Sequence, residues 1–289
     1  MTAQITLDPA TTTLVEDPRV RWRWGTSGTT AARRPIPTII AIANQKGGVG
    51  KTTTAVNLAS YFALHYSTLL VDLDSQANAT TSLGVDLGER PSVYDVLVDG
   101  TPAEDVILDT VVPGLSLLPS SPVLSSAELQ LAPMIGREFK LQRALQRLGS
   151  RYDYIFIDCP PALSVLALNA LCAADKVIVP MQAEYLALEG FSELLTTIGL
   201  VQTNLNPLVE IGGIVLTMSG TRTNLSRQIE REVRERFSCA FQTVIPRNIR
   251  VAEAPGHGLP LTMYAPESAG GRAYRALAEE LMAVLAQVW

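Results

Sequence analysis

The sequence predicts an α/β fold, a doubly wound, mostly parallel sheet with helices on both faces. Three observations carry that expectation. Short apolar runs alternate along the chain with longer segments of helical character. The runs are continuous Ile, Val and Leu stretches rather than in–out alternations, as expected of strands covered on both sides. A Gly-rich turn, Lys46-Gly47-Gly48-Val49-Gly50-Lys51-Thr52-Thr53, joins the first run to the first helical segment, which in such a fold puts a ligand at the carboxyl ends of the strands.

Taken in order, the first strand covers Thr38–Ala43 and the helix after the Gly-rich turn covers Thr53–Tyr66. A second strand, Thr68–Leu73, runs into Asp74, and a third covers Leu115–Pro119. Helix Arg137–Leu148 leads to strand Tyr154–Ile157, which ends at Asp158. The most apolar stretch, Ala162 to Met181, is interrupted by Asn169, Asp175, Lys176 and Pro180. It reads as a buried helix, Ser164–Ala173, followed by a buried strand, Lys176–Pro180, and not as a membrane span. Helix Leu186–Thr203, strand Glu210–Thr217, helix Asn224–Phe237, strand Thr243–Pro246 and helix Gly271–Gln287 complete the series. In Asn224–Phe237 the residues Leu225, Ile229, Val233 and Phe237 fall on one face, suited to packing on a sheet.

At 289 residues and 47% hydrophobic, the chain can bury one large core, expected over residues 37–289. Residues 1–36 differ. They mix Thr-rich, Arg/Trp-rich (Arg19, Arg21, Trp22, Arg23, Trp24) and Gly/Ser/Thr segments without a helical or strand period, and are expected to be a disordered leader. Its Arg/Trp cluster could touch DNA, lipid headgroups or a protein partner, and a leader without a specific role explains it as well. The three cysteines, Cys159, Cys172 and Cys239, are widely spaced and form no C-x-x-C pair, so neither a disulfide framework nor a zinc site is expected. No signal peptide is evident, and a reducing cytoplasm is the expected location. The net charge of −5 gives no bulk attraction to nucleic acid, so any such binding needs a local patch.

The Gly-rich turn has the chemistry of a phosphate cradle. Glycines let backbone N–H groups crowd around an anion, and the helix N-terminus adds its positive dipole end. Lys51 would neutralise the β- and γ-phosphates of a nucleotide and the Thr52 hydroxyl would ligate Mg²⁺. Lys46 comes too early for that work, and only four lysines occur in the chain, two of them in this turn. A second cation aimed at the phosphates makes most sense reaching a nucleotide held by another subunit, as an arginine finger does in trans. Two strand-end acids complete the set: Asp158 to hold Mg²⁺ or its water shell, and Asp74, 23 residues after Lys51, to orient the attacking water.

The spacing Lys46 to Thr52 resembles the deviant Walker A box of the ParA/MinD class of P-loop ATPases. Asp72-Leu73-Asp74-Ser75-Gln76, Thr217 to Leu225, and the run Val244 to Gly258 resemble the chromosomal ParA (Soj) branch of partitioning ATPases. The likeness runs from about Thr38 to the C-terminus, with Ser75 standing where the family usually has proline. It implies ATP and Mg²⁺ as cofactors, with the loop Lys46, Gly47, Gly48, Val49, Gly50, Lys51, Thr52 and Thr53 on the nucleotide and Thr52, Asp74 and Asp158 toward the metal. Lys46, Lys51 and Asp74 would serve hydrolysis, with Asp72 a supporting contact to the loop and metal. Pro246, Arg247 and Asn248 would lie beside the adenine, and Glu184 would reach the partner's ribose. The implied partners are a second copy of the chain in an ATP-sandwich dimer, double-stranded DNA held without sequence preference, and a ParB-type centromere-binding protein that stimulates hydrolysis. The implied location is the cytoplasm, on the nucleoid when ATP is bound.

The basic segment bears on the DNA partner. Between Arg222 and Arg250 lie seven arginines and three glutamates in a chain that is acidic overall. Arg227, Arg231 and Arg234 recur on one helix face and could track phosphates. The pairs Glu230–Arg234 and Arg231–Glu235 describe an ordinary salt-bridged surface just as well. The resemblance favours DNA contact by Arg222 and Arg250, with Arg247 and the helix arginines beside them. The alternative is a MinD-like membrane-positioning ATPase, which needs a basic amphipathic C-terminal helix. Here that segment carries Glu279 and Glu280 and no lysine, so stable membrane association is not expected.

Overall fold

The computed structural model describes residues 37–182, 187–219 and 224–286. Its strands are β1 (Thr38–Ile42), β2 (Thr68–Asp72), β3 (Leu108–Asp109), β4 (Leu115–Leu118), β5 (Tyr154–Asp158), β6 (Lys176–Gln182), β7 (Glu210–Ser219) and β8 (Ala240–Pro246). They form one sheet in the order β3-β4-β2-β5-β1-β6-β7-β8. Every pairing is parallel except β3 with β4. The helices are α1 (Lys51–Phe62), α2 (Asn78–Ser82), α3 (Val93–Leu97), α4 (Ala127–Leu131), α5 (Lys140–Arg147), α6 (Val165–Ala173), α7 (Ala187–Asn204), α8 (Asn224–Arg236), α9 (Ile249–Glu253), α10 (Leu261–Tyr264) and α11 (Ala269–Ala286).

Successive strand residues point to opposite faces, and both faces are dry, which is why the strands read as unbroken apolar runs. One face takes Leu69, Val71, Ile155, Ile157, Val177 and Val179 and is covered by α3 to α8. The other takes Ile40, Ile42, Leu70, Phe156 and Ile178 and is covered by α1, α2, α10 and α11. Ile229 and Val233 of α8, and Phe237 just past its end, are buried as the helical pattern predicts.

The departures from the sequence reading are local. α1 starts at Lys51, two residues early, because Gly50 turns the chain straight into the helix from a left-handed conformation (φ 89°). The segment expected as one helix from Arg137 begins instead as a 3₁₀ turn, Arg137–Phe139, after a left-handed Gly136. Five helices of four or five residues and the two-residue strand β3 were not expected; elements this short carry no readable period. The C-terminal helix docks along the sheet edge. Its Glu280 accepts the β8 main-chain N–H groups of Gln242 (2.7 Å) and Thr243 (3.0 Å), while Tyr274, Leu277, Leu281 and Leu285 are buried.

Register sets the site. Asp72 on β2 pairs directly with Asp158 on β5, and Ile42 on β1 pairs with Asp158 from the other side. The ends of β1, β2 and β5 therefore converge at the carboxyl edge of the sheet, where the Gly-rich turn leaves β1.

Candidate active site

The turn is held in shape by neighbouring strands. Asn44 donates from Nδ2 to the Pro180 carbonyl (2.7 Å) and accepts the Lys46 N–H on Oδ1 (3.0 Å). Gln182, at the end of β6, donates to the Gly48 carbonyl (3.0 Å), and the Thr217 hydroxyl of β7 donates to the Val49 carbonyl (2.8 Å). Gly48 and Gly50 both have positive φ, 74° and 89°, which a side chain would oppose. No side chain caps α1, so its first-turn N–H groups face the turn without a protein acceptor of that kind. A helix start without a side-chain cap, entered from a Gly-rich turn, suits an anion.

Lys51, the first residue of α1, is 7% exposed and donates from Nζ to the Lys46 carbonyl (3.2 Å). Burial lowers its pKa, opposed by the nearby Asp158, Cys159 and Asp74. Asp158 is fully buried, and among the described residues neither carboxylate oxygen has a hydrogen-bond partner. Burial drives its pKa well above the usual carboxylate range, with Asp72 pushing the same way. The Thr52 hydroxyl and the Lys51 ammonium pull it down; Thr52 stands close, although no bond of ordinary geometry joins the two. A buried, unpartnered carboxylate beside a threonine hydroxyl suits a cation, and the donor set of hydroxyl and carboxylate oxygens fits Mg²⁺. No cluster of three or more His, Cys, Asp or Glu side chains able to hold a metal occurs among the described residues. Mg²⁺ in phosphate sites needs no such cage, since water and phosphate supply most of its ligands.

The Asp72 carboxylate accepts the Thr80 N–H and hydroxyl at 2.8 and 2.7 Å and the Asp74 N–H at 3.2 Å, bonds that the sequence did not show. Burial raises its pKa to about 6 despite these bonds. Asp74 is nearly buried; its Oδ1 accepts the Gln76 N–H (3.0 Å). Cys159 is a buried thiol whose pKa burial pushes up, and the three cysteines are unbridged.

Other expected residues scatter. Glu184 and Arg222 lie outside the described residues, as does the side chain of Arg227. Asn248 accepts the Arg250 N–H (2.9 Å) as the N-cap of α9, and the Arg247 N–H donates to the Ser219 carbonyl (3.2 Å). Arg250 is exposed and paired with Glu253 (2.9 Å). The helix stripe divides: Arg231 is exposed, but Arg234 is half-buried and donates to the Gln242 carbonyl of β8 (2.8 Å). The expected Glu230–Arg234 pairing gives way to a Ser219 hydroxyl on Glu230 (2.5 Å), and Glu232 pairs with Arg236 (2.6 Å). Sequence reasoning missed Asn44, Gln182 and Thr217; the last two were readable as polar residues at the carboxyl ends of apolar strands.

A Gly-rich turn opening a helix at the carboxyl edge of a parallel sheet, with an acid ending the neighbouring strand, is the architecture of P-loop nucleoside triphosphatases. A family model described as an AAA domain matches residues 37–211. The chain is 50% identical over 248 residues to the sporulation initiation inhibitor protein Soj of Bacillus subtilis, covering 85% of this chain and 98% of that one. It is 51% identical over 246 residues to the chromosome-partitioning ATPase Soj of Thermus thermophilus, covering 84% and 95%. Among solved structures, one described as cobyrinic acid a,c-diamide synthase from Mycobacterium smegmatis, with bound ATP analogue and magnesium, matches with TM-score 0.75 and 38% identity, covering 86% and 95%. The cell division ATPase MinD of Pyrococcus furiosus matches with TM-score 0.72 and 28% identity, covering 86% and 100%. The chain belongs to the ParA/Soj family of chromosome-partitioning ATPases.

Proposed function

We propose that this ATPase segregates DNA by switching its grip on the duplex with nucleotide state. ATP is the substrate. Lys51 and the amides of Gly47 to Thr53 bind its phosphates. Asp74 holds the attacking water, and Pro246, Arg247 and Asn248 flank the adenine. Thr52, Asp158 and Asp74 would hold Mg²⁺, which when bound neutralises charge on the β- and γ-phosphates. Lys46 reaches the nucleotide of a second copy, so that ATP binding pairs two subunits; Glu184 meets the partner's ribose. Arg222 and Arg250 of both copies then form a DNA-binding surface with Arg247, Arg227 and Arg231 beside them, while Arg234 belongs to the packing of α8. A ParB-type protein stimulates hydrolysis, which parts the dimer and frees its subunits from DNA into the cytoplasm. The observation that carries this reading is the buried, unpartnered Asp158 carboxylate beside Lys51 and the pinned turn.

Two other readings have less support. A membrane-positioning ATPase needs a free amphipathic C-terminal helix, whereas the apolar face of α11 is packed on the sheet. No helix among the described residues is long and apolar enough to cross a membrane. A synthase reading draws on the name of the 38%-identical structure, against about 50% identity to the Soj proteins. The decisive experiment is duplex-DNA binding at two salt concentrations with a non-hydrolysable ATP analogue and with ADP. Binding should require the triphosphate state, ignore sequence and weaken with salt. Equal binding in both states would overturn the switch.

A further inference from the structure

The segment that carries Asp74 is held by a buried polar network. From Thr80 on α2, the hydroxyl and N–H donate to Asp72 Oδ2 (2.7 and 2.8 Å). From Ser120, two residues past β4, the N–H donates to the Thr80 hydroxyl (3.0 Å) and the hydroxyl donates to the Asp74 carbonyl (2.7 Å). The Asp74 N–H closes the circuit on Asp72 Oδ1 (3.2 Å). Thr80 is 2% exposed and Ser120 1%, so these bonds form away from water and leave few alternative partners. Asp74 ends no regular element; it sits in the link from β2 to α2, before a left-handed Ala77 (φ 52°). Within the same link the Asp74 carbonyl also accepts the Ala77 N–H (2.9 Å) and its Oδ1 the Gln76 N–H (3.0 Å).

We infer that Thr80 and Ser120 are positioning residues that set the Asp74 carboxylate for hydrolysis without contributing to nucleotide affinity. The inference rests on the Asp74 role proposed above. Small misplacement of a positioned group is enough to slow a reaction many-fold while leaving binding intact.

Turnover of Mg-ATP on duplex DNA, together with equilibrium binding of a fluorescent ATP analogue and thermal melting, tests it on the full chain. Ser120→Ala and Thr80→Val should each lower kcat about tenfold, with KM and analogue affinity within about twofold of the parent. Thr80→Ser, which keeps the hydroxyl, should restore kcat. In an Asp74→Ala background, Ser120→Ala should change kcat no further, since there is no carboxylate left to position. Parental kcat in both single variants, or a joint loss of kcat and analogue affinity, overturns the inference while an inactive Asp74→Ala leaves the Asp74 role standing. Normal turnover by Asp74→Ala itself overturns the Asp74 role, and the inference falls with it.

Discussion

With both oxygens unpartnered in the interior, Asp158 is held where an ionised carboxylate is least stable. Its pKa is raised in the folded protein, so the native state holds a proton that the unfolded chain, near the ordinary value of about 3.9, has already released. The stability this group contributes is full below the unfolded value and lost as pH rises through the folded one. Asp158→Asn, neutral throughout, should therefore melt higher than the parent at pH 8 without nucleotide or metal, and the gap should shrink toward pH 5. A gap independent of pH would mean that the carboxylate is not destabilised by burial. The residues that carry charge here were legible in the sequence, because Asp158 ends an apolar strand, Asp74 follows one, and Lys46 and Lys51 lie in a turn of fixed spacing. Thr80 and Ser120 were not, since they stand 40 positions apart and meet through the pairing of β2 with β4.

At the scale of elements, the strands could be read because both sheet faces are dry, and the long helices because their apolar faces repeat. The basic helix was half legible. Its arginine spacing is visible in one dimension, but the Gln242 carbonyl that captures Arg234 belongs to a strand reached only through the fold. The two arginine classes should separate experimentally. Arg250→Glu should abolish DNA binding with ATP affinity and melting temperature unchanged, because its only described ion pair, with Glu253, is exposed. Arg234→Ala should instead lose roughly 1–2 kcal/mol of stability in chemical denaturation, leaving the Gln242 carbonyl short of a donor. Loss of DNA binding by Arg234→Ala without destabilisation would return it to the DNA surface. α11 is tied by Glu280 to two main-chain N–H groups, and Glu280→Ala should cost about 1–3 kcal/mol in the same assay.

For the whole molecule, the order β2-β5-β1-β6-β7 at the centre of the sheet gathers every predicted strand-end group on one edge. That convergence follows from the fold class; the Asp72–Asp158 register, and hence the turning of Asp72 toward Thr80, needed the structure. The proposed pairing of two copies is a property of this edge. Sedimentation with Mg-ATP should show a dimer, and Lys46→Ala should sediment as a monomer while still binding nucleotide within about tenfold, as expected of a cation supplied in trans. A Lys46→Ala dimer would place that lysine's role within its own subunit.

Because Asn44, Gln182 and Thr217 tie the phosphate turn to the two neighbouring strands β6 and β7, its main chain is already moulded before any guest arrives. Docking a nucleotide then requires little ordering of backbone, and a pre-shaped receptacle spends little of its affinity on folding itself. Diphosphate and triphosphate meet the same rigid seat, so what tells them apart has to lie beyond it, where the third phosphate projects.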